Sequence, residues 1–260
     1  MTMPERAGSA PELKIDGRVA VVRLCRPEQA NRLEPGDLPV LMAHFRQLRE
    51  QHAQVRALVL TGTGKHFSAG FDLGSIDSAV QGNSSAVFAE MVDALEDLPQ
   101  TTVCALNGGV FGGSTDLALA CDFRLGVPET RMFMPAARFG LHYYASGLRR
   151  YLSRLGLNTA KRMFLLAEEF DAKALLEVGY LTGIVPADAL QGEAMALARR
   201  AAGLAPLASA GMKSALNTMA SERYDPEEGG RIYRACMASA DLQEGIAALR
   251  EKREPQFAGR

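Results

Sequence analysis

The 260-residue sequence predicts an α/β protein with mainly parallel strands, followed by a helical C-terminal region. Two observations support this fold class. In the first half, short apolar β-branched runs alternate with segments of helical periodicity, which is typical of helices layered on a parallel sheet. From Ser146 onward the periodicity is almost wholly helical, with one apolar break at 183–186. We therefore expect a layered core first and a helical appendage after it.

The first elements are a hairpin, a helix and a buried strand, preceded by a loose tail at 1–10. Strands at 12–15 and 19–24 flank Asp16-Gly17, a strong two-residue hairpin signal. Pro35 suits the first turn of a helix that reaches about Gln51. The apolar run 55–60 then predicts a third strand.

A helix at about 85–98 leads to a buried strand at 101–106, a glycine turn, and a helix that contains Asp116. Short strands at 123–125 and 131–135 follow. The remaining helices are predicted at 146–154, 158–167, 171–178, 188–202, 206–221, 226–240 and 242–252.

Composition favours a globular protein without nucleic-acid or membrane partners. Hydrophobic residues make up 47% and charged residues 23%, and the net charge is −1. The four cysteines form no CxxC pair, and three lie in apolar runs, which predicts buried free thiols in a reducing compartment. The N-terminus lacks the apolar core of a signal peptide, and no apolar run reaches 18 residues. We expect a cytoplasmic protein.

Several familiar functional motifs are incomplete or absent in this sequence. Gly62-Thr63-Gly64-Lys65 resembles a phosphate loop, but Val59 occupies the position where that loop needs a glycine. The four histidines have no metal-ligand spacing, and the sequence has no dinucleotide-binding glycine fingerprint. These motifs therefore predict neither a phosphate loop nor a Rossmann dinucleotide site.

Two glycine loops, each following a strand, remain as candidates for chemistry: 68–72 and 112–114. Backbone N–H donors from two separate loops are what an oxyanion hole requires, and such a hole could stabilise a thioester enolate. The second loop also precedes a helix N-terminus, which favours anions. The alternative is a tight strand-to-helix turn in which glycine only permits a positive φ.

Four segments spread along the chain form one recognisable set: Arg26-Pro27…Asn31-Arg32-Leu33, Phe67-Ser-Ala-Gly-Phe-Asp-Leu73, Asn107-Gly…Gly112-Gly-Ser-Thr-Asp-Leu-Ala-Leu-Ala-Cys-Asp122 and Ala172-Lys…Gly179-Tyr-Leu-Thr-Gly-Ile-Val185. Together they resemble the enoyl-CoA hydratase/isomerase (crotonase) family across nearly the whole chain. The resemblance implies no metal and no redox cofactor. The second and third segments are specific, and finding both in this order by chance is improbable. The closing run at 250–257 also resembles the family's C-terminus.

The resemblance implies a spiral of ββα turns at 11–200 and a C-terminal helical trimerisation region at 201–260, with trimers or hexamers. It implies an acyl-CoA thioester as the ligand, held by the N–H groups of Phe71 and Gly113 as the oxyanion hole. Backbone groups around Ala69, Phe71 and Leu73 would bind coenzyme A. Asn31 and Arg32 would line the CoA entrance, with Arg32 either pairing with a phosphate or remaining solvated.

The departures from the family pattern concern the acids. Asp116 stands where hydratases of the family carry their first glutamate, and its side chain is shorter by about 1.5 Å of reach. Ala136 stands at the position of the second glutamate. Asp116 can equally be a helix N-terminal residue stabilised by the dipole. The two-carboxylate mechanism is therefore not expected to transfer intact.

Bulky polar residues near the acids offer an alternative. Tyr143 lies at about the position of a tyrosine in family decarboxylases, and a phenol can orient a carboxylate or donate a proton. His142 is a second acid/base candidate, while packing or solvation would explain Tyr143, Tyr144 and His142 equally well. Three functions stay open: hydratase/isomerase with Asp116, decarboxylase or hydrolase with Tyr143 or His142, and an acyl-CoA-binding protein without activity.

Overall fold

The computed structural model describes residues 8–72 and 84–260 of the chain. The strands within these ranges are β1 (Ser9–Asp16), β2 (Val19–Cys25), β3 (Ala57–Gly62), β4 (Thr101–Leu106), β5 (Val110–Phe111), β6 (Phe123–Gly126), β7 (Arg131–Phe133), β8 (Phe170–Asp171) and β9 (Gly183–Ile184). The helices are α1 (Asp37–Glu50), α2 (Ser84–Glu96), α3 (Ser114–Ala120), α4 (Ala145–Leu165), α5 (Ala172–Glu177), α6 (Leu190–Ala202), α7 (Pro206–Ala220), α8 (Pro226–Met237) and α9 (Ala240–Glu251).

The main sheet has six strands in the order β1-β2-β3-β4-β6-β9, and only the β1–β2 pair is antiparallel. Residues along β3 alternate between two buried faces, as the continuous apolar run implies. Leu58 and Leu60 belong to the cluster that includes α1 and α2, whereas Val59 packs in a second cluster with α6. The predicted α/β class with mainly parallel strands is confirmed.

A second sheet of three short strands, β5-β7-β8, lies outside the main one. The sequence analysis did not identify β5 or β8, because two residues are too few to show alternation. β5 lies inside the glycine segment, where the sequence predicted only a turn. Its Val110 forms a bridge with Ser68. This short strand therefore joins the two glycine loops.

Other predicted boundaries move by a few residues. Asp16 is still paired with Val19, so the hairpin turn is Gly17-Arg18 rather than Asp16-Gly17, and Gly17 has a φ of +58°. Strand β1 begins at Ser9, inside the predicted loose tail. The helices predicted at 146–154 and 158–167 form α4, which is interrupted at Gly156 with φ 78° and ψ 163°. Three cysteines are buried free thiols, as predicted: Cys25, Cys104 and Cys121.

The C-terminal helices carry many exposed apolar side chains, among them Leu216, Tyr233 and Leu249. The last residues are held rather than frayed. The Asp241 carboxylate accepts hydrogen bonds from the N–H groups of Ala258 at 2.7 Å and Gly259 at 2.9 Å. Of the helices in the described residues, none is long and apolar enough to cross a membrane.

Candidate active site

The two predicted glycine loops lie against each other, at the ends of β3 and β4. The Phe111 N–H donates to the Ser68 carbonyl at 3.0 Å, and the Ser114 hydroxyl donates to the Ser68 hydroxyl at 2.5 Å. The side chains of both serines are fully buried. These contacts fix the first loop against the start of α3. The two loops that the sequence marks separately therefore form one site.

Glycine is required at the point of contact. Gly70 has a φ of +96°, and a Cβ added there would lie 2.7 Å from the Phe111 carbonyl oxygen and 3.3 Å from the Gly113 nitrogen. Gly112 has a φ of +54°. The backbone conformation favours glycine at both positions, and at position 70 there is also no room for a Cβ. The two loops therefore approach each other closely at the glycine turn.

The backbone donors around this contact fall into two groups. The N–H groups of Gly70 and Gly112 are bonded, to the Ser68 hydroxyl at 3.1 Å and the Phe133 carbonyl at 2.9 Å. The N–H groups of Phe71 and Gly113, the predicted oxyanion-hole pair, donate to no described residue. Buried or half-buried N–H groups in folded proteins are nearly always paired, so two unpaired donors on adjoining loops indicate a place for a ligand oxygen.

Asp116 lies in the first turn of α3 and is fully buried. Its Oδ1 accepts a hydrogen bond from Arg150 Nε at 2.9 Å, and its Oδ2 accepts one from Arg150 Nη2 at 3.1 Å. The Tyr144 hydroxyl also donates to Oδ2. Both oxygens of the predicted catalytic acid are thus engaged by protein donors, in the paired state that burial of a charge requires.

Arg150 is the centre of a larger charge cluster. It is fully buried and also donates to Glu96 at 2.6 Å and to Asp93 at 3.0 Å. Glu96 in turn accepts hydrogen bonds from Arg149 and from Arg154. Three carboxylates therefore face three guanidinium groups, which offsets much of the desolvation cost of each charge.

The charges of this cluster shift the pKa values within it. Burial by itself would raise the pKa of Glu96, but Arg150, Arg154 and Arg149 together hold it below its ordinary value. Burial would lower the pKa of Arg150, yet Asp116 and Glu96 raise it above its ordinary value. Both groups are therefore kept in their charged forms.

A row of aromatic rings connects the acid with the unpaired donors. Tyr144 stacks on Tyr143 with ring centroids 4.4 Å apart. The Tyr144 and Phe88 rings pack edge to face, with centroids 6.1 Å apart. Phe88 packs against Phe71 at 5.8 Å, and a Cβ on Gly113 would lie 2.9 Å from the Phe88 ring. Burial, followed by the nearby charge of Asp116, raises the pKa of both tyrosine hydroxyls, which therefore stay protonated.

The other predicted site residues are distributed unevenly. Tyr143 is buried, with its hydroxyl 3.4 Å from that of Tyr144, whereas His142 is exposed on the loop before α4. The Arg32 side chain is 41% exposed and pairs with Glu34 at 3.6 Å and Asp72 at 3.4 Å. Ala69 is exposed, and Leu73 lies outside the described residues.

Asn31 does not line an entrance, contrary to the sequence-based expectation. Its side chain is buried, and its amide donates to the carbonyls of Thr63 at 2.7 Å and His66 at 2.8 Å. The residue therefore ties the loop after β2 to the loop after β3. No group of three or more potential metal ligands lies together in residues 8–72 and 84–260.

Two residues at the site were missed or undervalued by sequence reasoning. Arg150 was not considered, and Tyr144 was weighed only as a packing aromatic. One signal was available: Gly147, Arg150 and Tyr151 share the helical spacing of a buried face, so an arginine lies in an apolar stripe. A buried arginine needs an acid partner. The sequence does not identify which acid.

Comparison with known proteins agrees with the fold. Residues 14–260 match the family described as enoyl-CoA hydratase/isomerase. A probable enoyl-CoA hydratase of Mycobacterium leprae is 30% identical, over 93% of this chain and 96% of the relative. The short-chain-enoyl-CoA hydratase of Clostridium acetobutylicum is 27% identical, over 93% of this chain and 95% of that protein. The crystal structure of an enoyl-CoA hydratase from Bacillus anthracis superposes with a TM-score of 0.89 at 27% identity, covering 97% of this chain and 100% of that one.

An α/β spiral with two adjoining glycine loops and a helical C-terminal region defines the crotonase class of fold, as expected from the motifs. The chain belongs to the enoyl-CoA hydratase/isomerase family.

Proposed function

We propose that this protein binds an acyl-CoA thioester and stabilises the enolate formed from it. The observation that carries the proposal is the pair of N–H groups of Phe71 and Gly113, which donate to no described residue on adjoining loops. A thioester carbonyl oxygen accepting both hydrogen bonds gains most when negative charge develops on it. Donors placed in advance for that charge contribute about 3–4 kcal/mol each to lowering a barrier.

Hydration or isomerisation of a 2-enoyl-CoA is the first candidate reaction, because the relatives described above are named enoyl-CoA hydratases. Asp116 is the acid that such a reaction would use. Ala136 provides no second carboxylate, so one acid would have to serve both proton transfers.

Decarboxylation of a substituted malonyl-type CoA ester is the second candidate. It is favoured by the state of the side chains: Asp116 is ion-paired with Arg150, and Tyr143 and Tyr144 hold their protons. Loss of carbon dioxide forms an enolate without a base, and the enolate then needs only a proton donor. Hydrolysis of an acyl-CoA remains within the same class of thioester chemistry.

We also propose assembly into a trimer or a dimer of trimers through the C-terminal helices. The exposed apolar side chains of Leu216, Tyr233 and Leu249 support burial against another copy. Sedimentation equilibrium measures the mass directly, and a monomer at micromolar concentration would refute the assembly.

The experiment that tests the function removes one donor while keeping the rest of the residue. Gly113 has a φ of −58°, which proline adopts, so Gly113→Pro removes the N–H and Gly113→Ala keeps it. Both variants place a Cβ against Phe88, 2.9 Å from its ring, so they share this part of the steric cost, while the proline ring additionally puts Cδ in place of the N–H. We expect Gly113→Pro to lose about 100-fold or more in kcat relative to Gly113→Ala.

Turnover is measured on 2-enoyl-CoA esters of several chain lengths and on methylmalonyl-CoA, with binding followed by calorimetry. Equal turnover by the two Gly113 variants would refute the oxyanion hole. Acyl-CoA binding without turnover on any ester would favour a binding protein that has lost activity.

A further inference from the structure

Tyr144 links the fully buried Asp116 to a less buried part of the site. Asp116 is fully buried, and the described donors already occupy both its oxygens. Tyr144 is only half-buried, and its hydroxyl donates directly to Asp116 Oδ2. Of the two side chains, the tyrosine is therefore the more accessible to a ligand.

The phenol also lies on the row of rings that ends at the two unpaired N–H donors. The centroid of its ring lies 6.1 Å from that of Phe88, and the Phe88 centroid lies 5.8 Å from that of Phe71. The Phe88 ring also packs closely against Gly113. An acyl group whose carbonyl rests on Phe71 and Gly113 extends along these rings. The position of Tyr144 is thus tied to both the acid and the proposed oxyanion hole.

We propose that Tyr144 relays a proton between Asp116 and the α-carbon of the bound thioester. This inference rests on the proposed function, because it needs the carbonyl oxygen to lie on the Phe71 and Gly113 donors. Arg150 acts as a positioning residue. Its two hydrogen bonds fix the plane of the Asp116 carboxylate, so that Oδ2 stays directed at the phenol.

The step balances without any further reactant. The α C–H bond breaks, its electron pair becomes the enolate, and the proton forms a bond with the Tyr144 oxygen. The original phenolic proton passes to Asp116 Oδ2, so the negative charge moves from the carboxylate to the enolate oxygen. The reverse step protonates an enolate. Tyr143, whose hydroxyl lies 3.4 Å away, donates toward the Tyr144 oxygen and stabilises charge that develops there.

The relay overcomes two obstacles to direct catalysis by Asp116. An aspartate reaches about 1.5 Å less far than a glutamate, and a phenol in between spans more than that distance. Burial shields the ion pair between Asp116 and Arg150 from water, and the phenol transfers the proton without exposing that pair. A purely structural tyrosine would also fill the space, but it would leave proton transfer to Asp116 alone.

The test follows exchange of the α-protons of butanoyl-CoA in deuterium oxide, observed by NMR, because this reaction needs no knowledge of the natural substrate. Tyr144→Phe removes one oxygen and keeps the ring. We expect it to lose about 100-fold in exchange rate, the usual size of an acid/base contribution, with the Kd for butanoyl-CoA within about threefold of wild type. Asp116→Asn should lose as much, and the double variant no more than either single one.

Tyr151→Phe is the matched control. Tyr151 is also buried, belongs to the same aromatic core, and donates its hydroxyl to Thr115, the residue next to Asp116. Removing that oxygen causes a similar structural perturbation without touching the acid. We expect exchange within about threefold of wild type. Should Asp116→Asn fail to fold, the comparison of Tyr144→Phe with Tyr151→Phe decides the question by itself.

Four outcomes overturn the relay. Exchange by Tyr144→Phe within about threefold of wild type means that Asp116 acts directly. Equal losses in Tyr144→Phe and Tyr151→Phe mean that the loss comes from packing. Wild-type protein that binds butanoyl-CoA without exchanging it overturns the relay but leaves thioester binding intact, whereas absence of binding overturns the proposed function as well.

Discussion

Replacing Arg150 by methionine tests whether the buried charge cluster is as tightly coupled as its geometry indicates. The guanidinium group is fully buried and donates to Asp116, Glu96 and Asp93. In Arg150→Met, Glu96 keeps its other two arginines, and Asp93, whose side chain is 40% exposed, can be hydrated. The uncompensated loss is therefore concentrated on Asp116, which keeps Tyr144 among the described residues.

One buried carboxylate left without its cation costs about 3–5 kcal/mol of folding free energy. For a chain of this size, each 1 kcal/mol lowers the Tm by about 2–4 °C, so we expect a fall of about 6–20 °C. Urea unfolding monitored by circular dichroism gives the free energy, and calorimetry gives the Tm. The double variant Arg150→Met/Asp116→Asn should recover part of the loss, because the unpaired charge is then gone.

Arg162→Met is the matched control, in the same helix. Arg162 also forms a two-bond pair with a carboxylate, donating to Glu168 at 2.8 Å and 2.6 Å, but both side chains are exposed. An exposed pair contributes little, although the Arg162 guanidinium also lies 4.7 Å from the Phe170 ring centroid, so the Tm should fall far less than in Arg150→Met. A loss below about 1 kcal/mol in Arg150→Met, or no recovery in the double variant, would refute the assignment of the buried charge to Asp116.

Two further predictions concern the same site. Because arginines hold the pKa of Glu96 below its ordinary 4.5, its contribution to stability is complete above that value and is lost as the pH falls through the folded-state pKa. The urea midpoint should therefore fall as the pH is lowered below 4.5, and less steeply in Glu96→Gln; equal slopes would contradict this. In Gly147→Ala the new Cβ would lie 2.4 Å from the Tyr143 ring and 2.9 Å from Asp116 Oδ2, so we expect a loss of about 1–3 kcal/mol and reduced turnover. Gly192→Ala, in α6 with nothing within 4 Å, should instead gain about 0.5–1 kcal/mol, and equal effects of the two changes would show that overpacking is not the cause.

Local signals in the sequence were sufficient for the α/β class and for the longer strands of the main sheet. The strand predicted at 101–106 is β4, Thr101–Leu106, because a β-branched apolar run bounded by Pro99 and a glycine turn allows little else. The glycine loops were predicted as donors for a shared ligand, and the N–H groups of Phe71 and Gly113 are unpaired among the described residues. Backbone conformation at these loops depends on residues that are adjacent in the sequence, so it can be predicted from one sequence alone.

The charge cluster could not be predicted in the same way. Asp116 and Arg150 are 34 residues apart, and Arg150 and Glu96 are 54 apart, so nothing local pairs them. The near-neutral total charge of the chain also does not reveal which acids are buried together. Asp116 considered alone could be a base or a helix-terminal residue. Only its contacts show that an arginine and a phenol engage it.

These contacts also separate the candidate reactions. Hydration and isomerisation need a group that removes or delivers an α-proton, and with both Asp116 oxygens engaged, the proposed path for that proton runs through Tyr144. Decarboxylation forms its enolate by losing carbon dioxide and needs no base. Exchange of α-protons that depends on Tyr144 therefore supports the first pair of reactions. Turnover of methylmalonyl-CoA together with slow exchange on a saturated thioester would place the chemistry in the second class, with a protonated phenol as its acid.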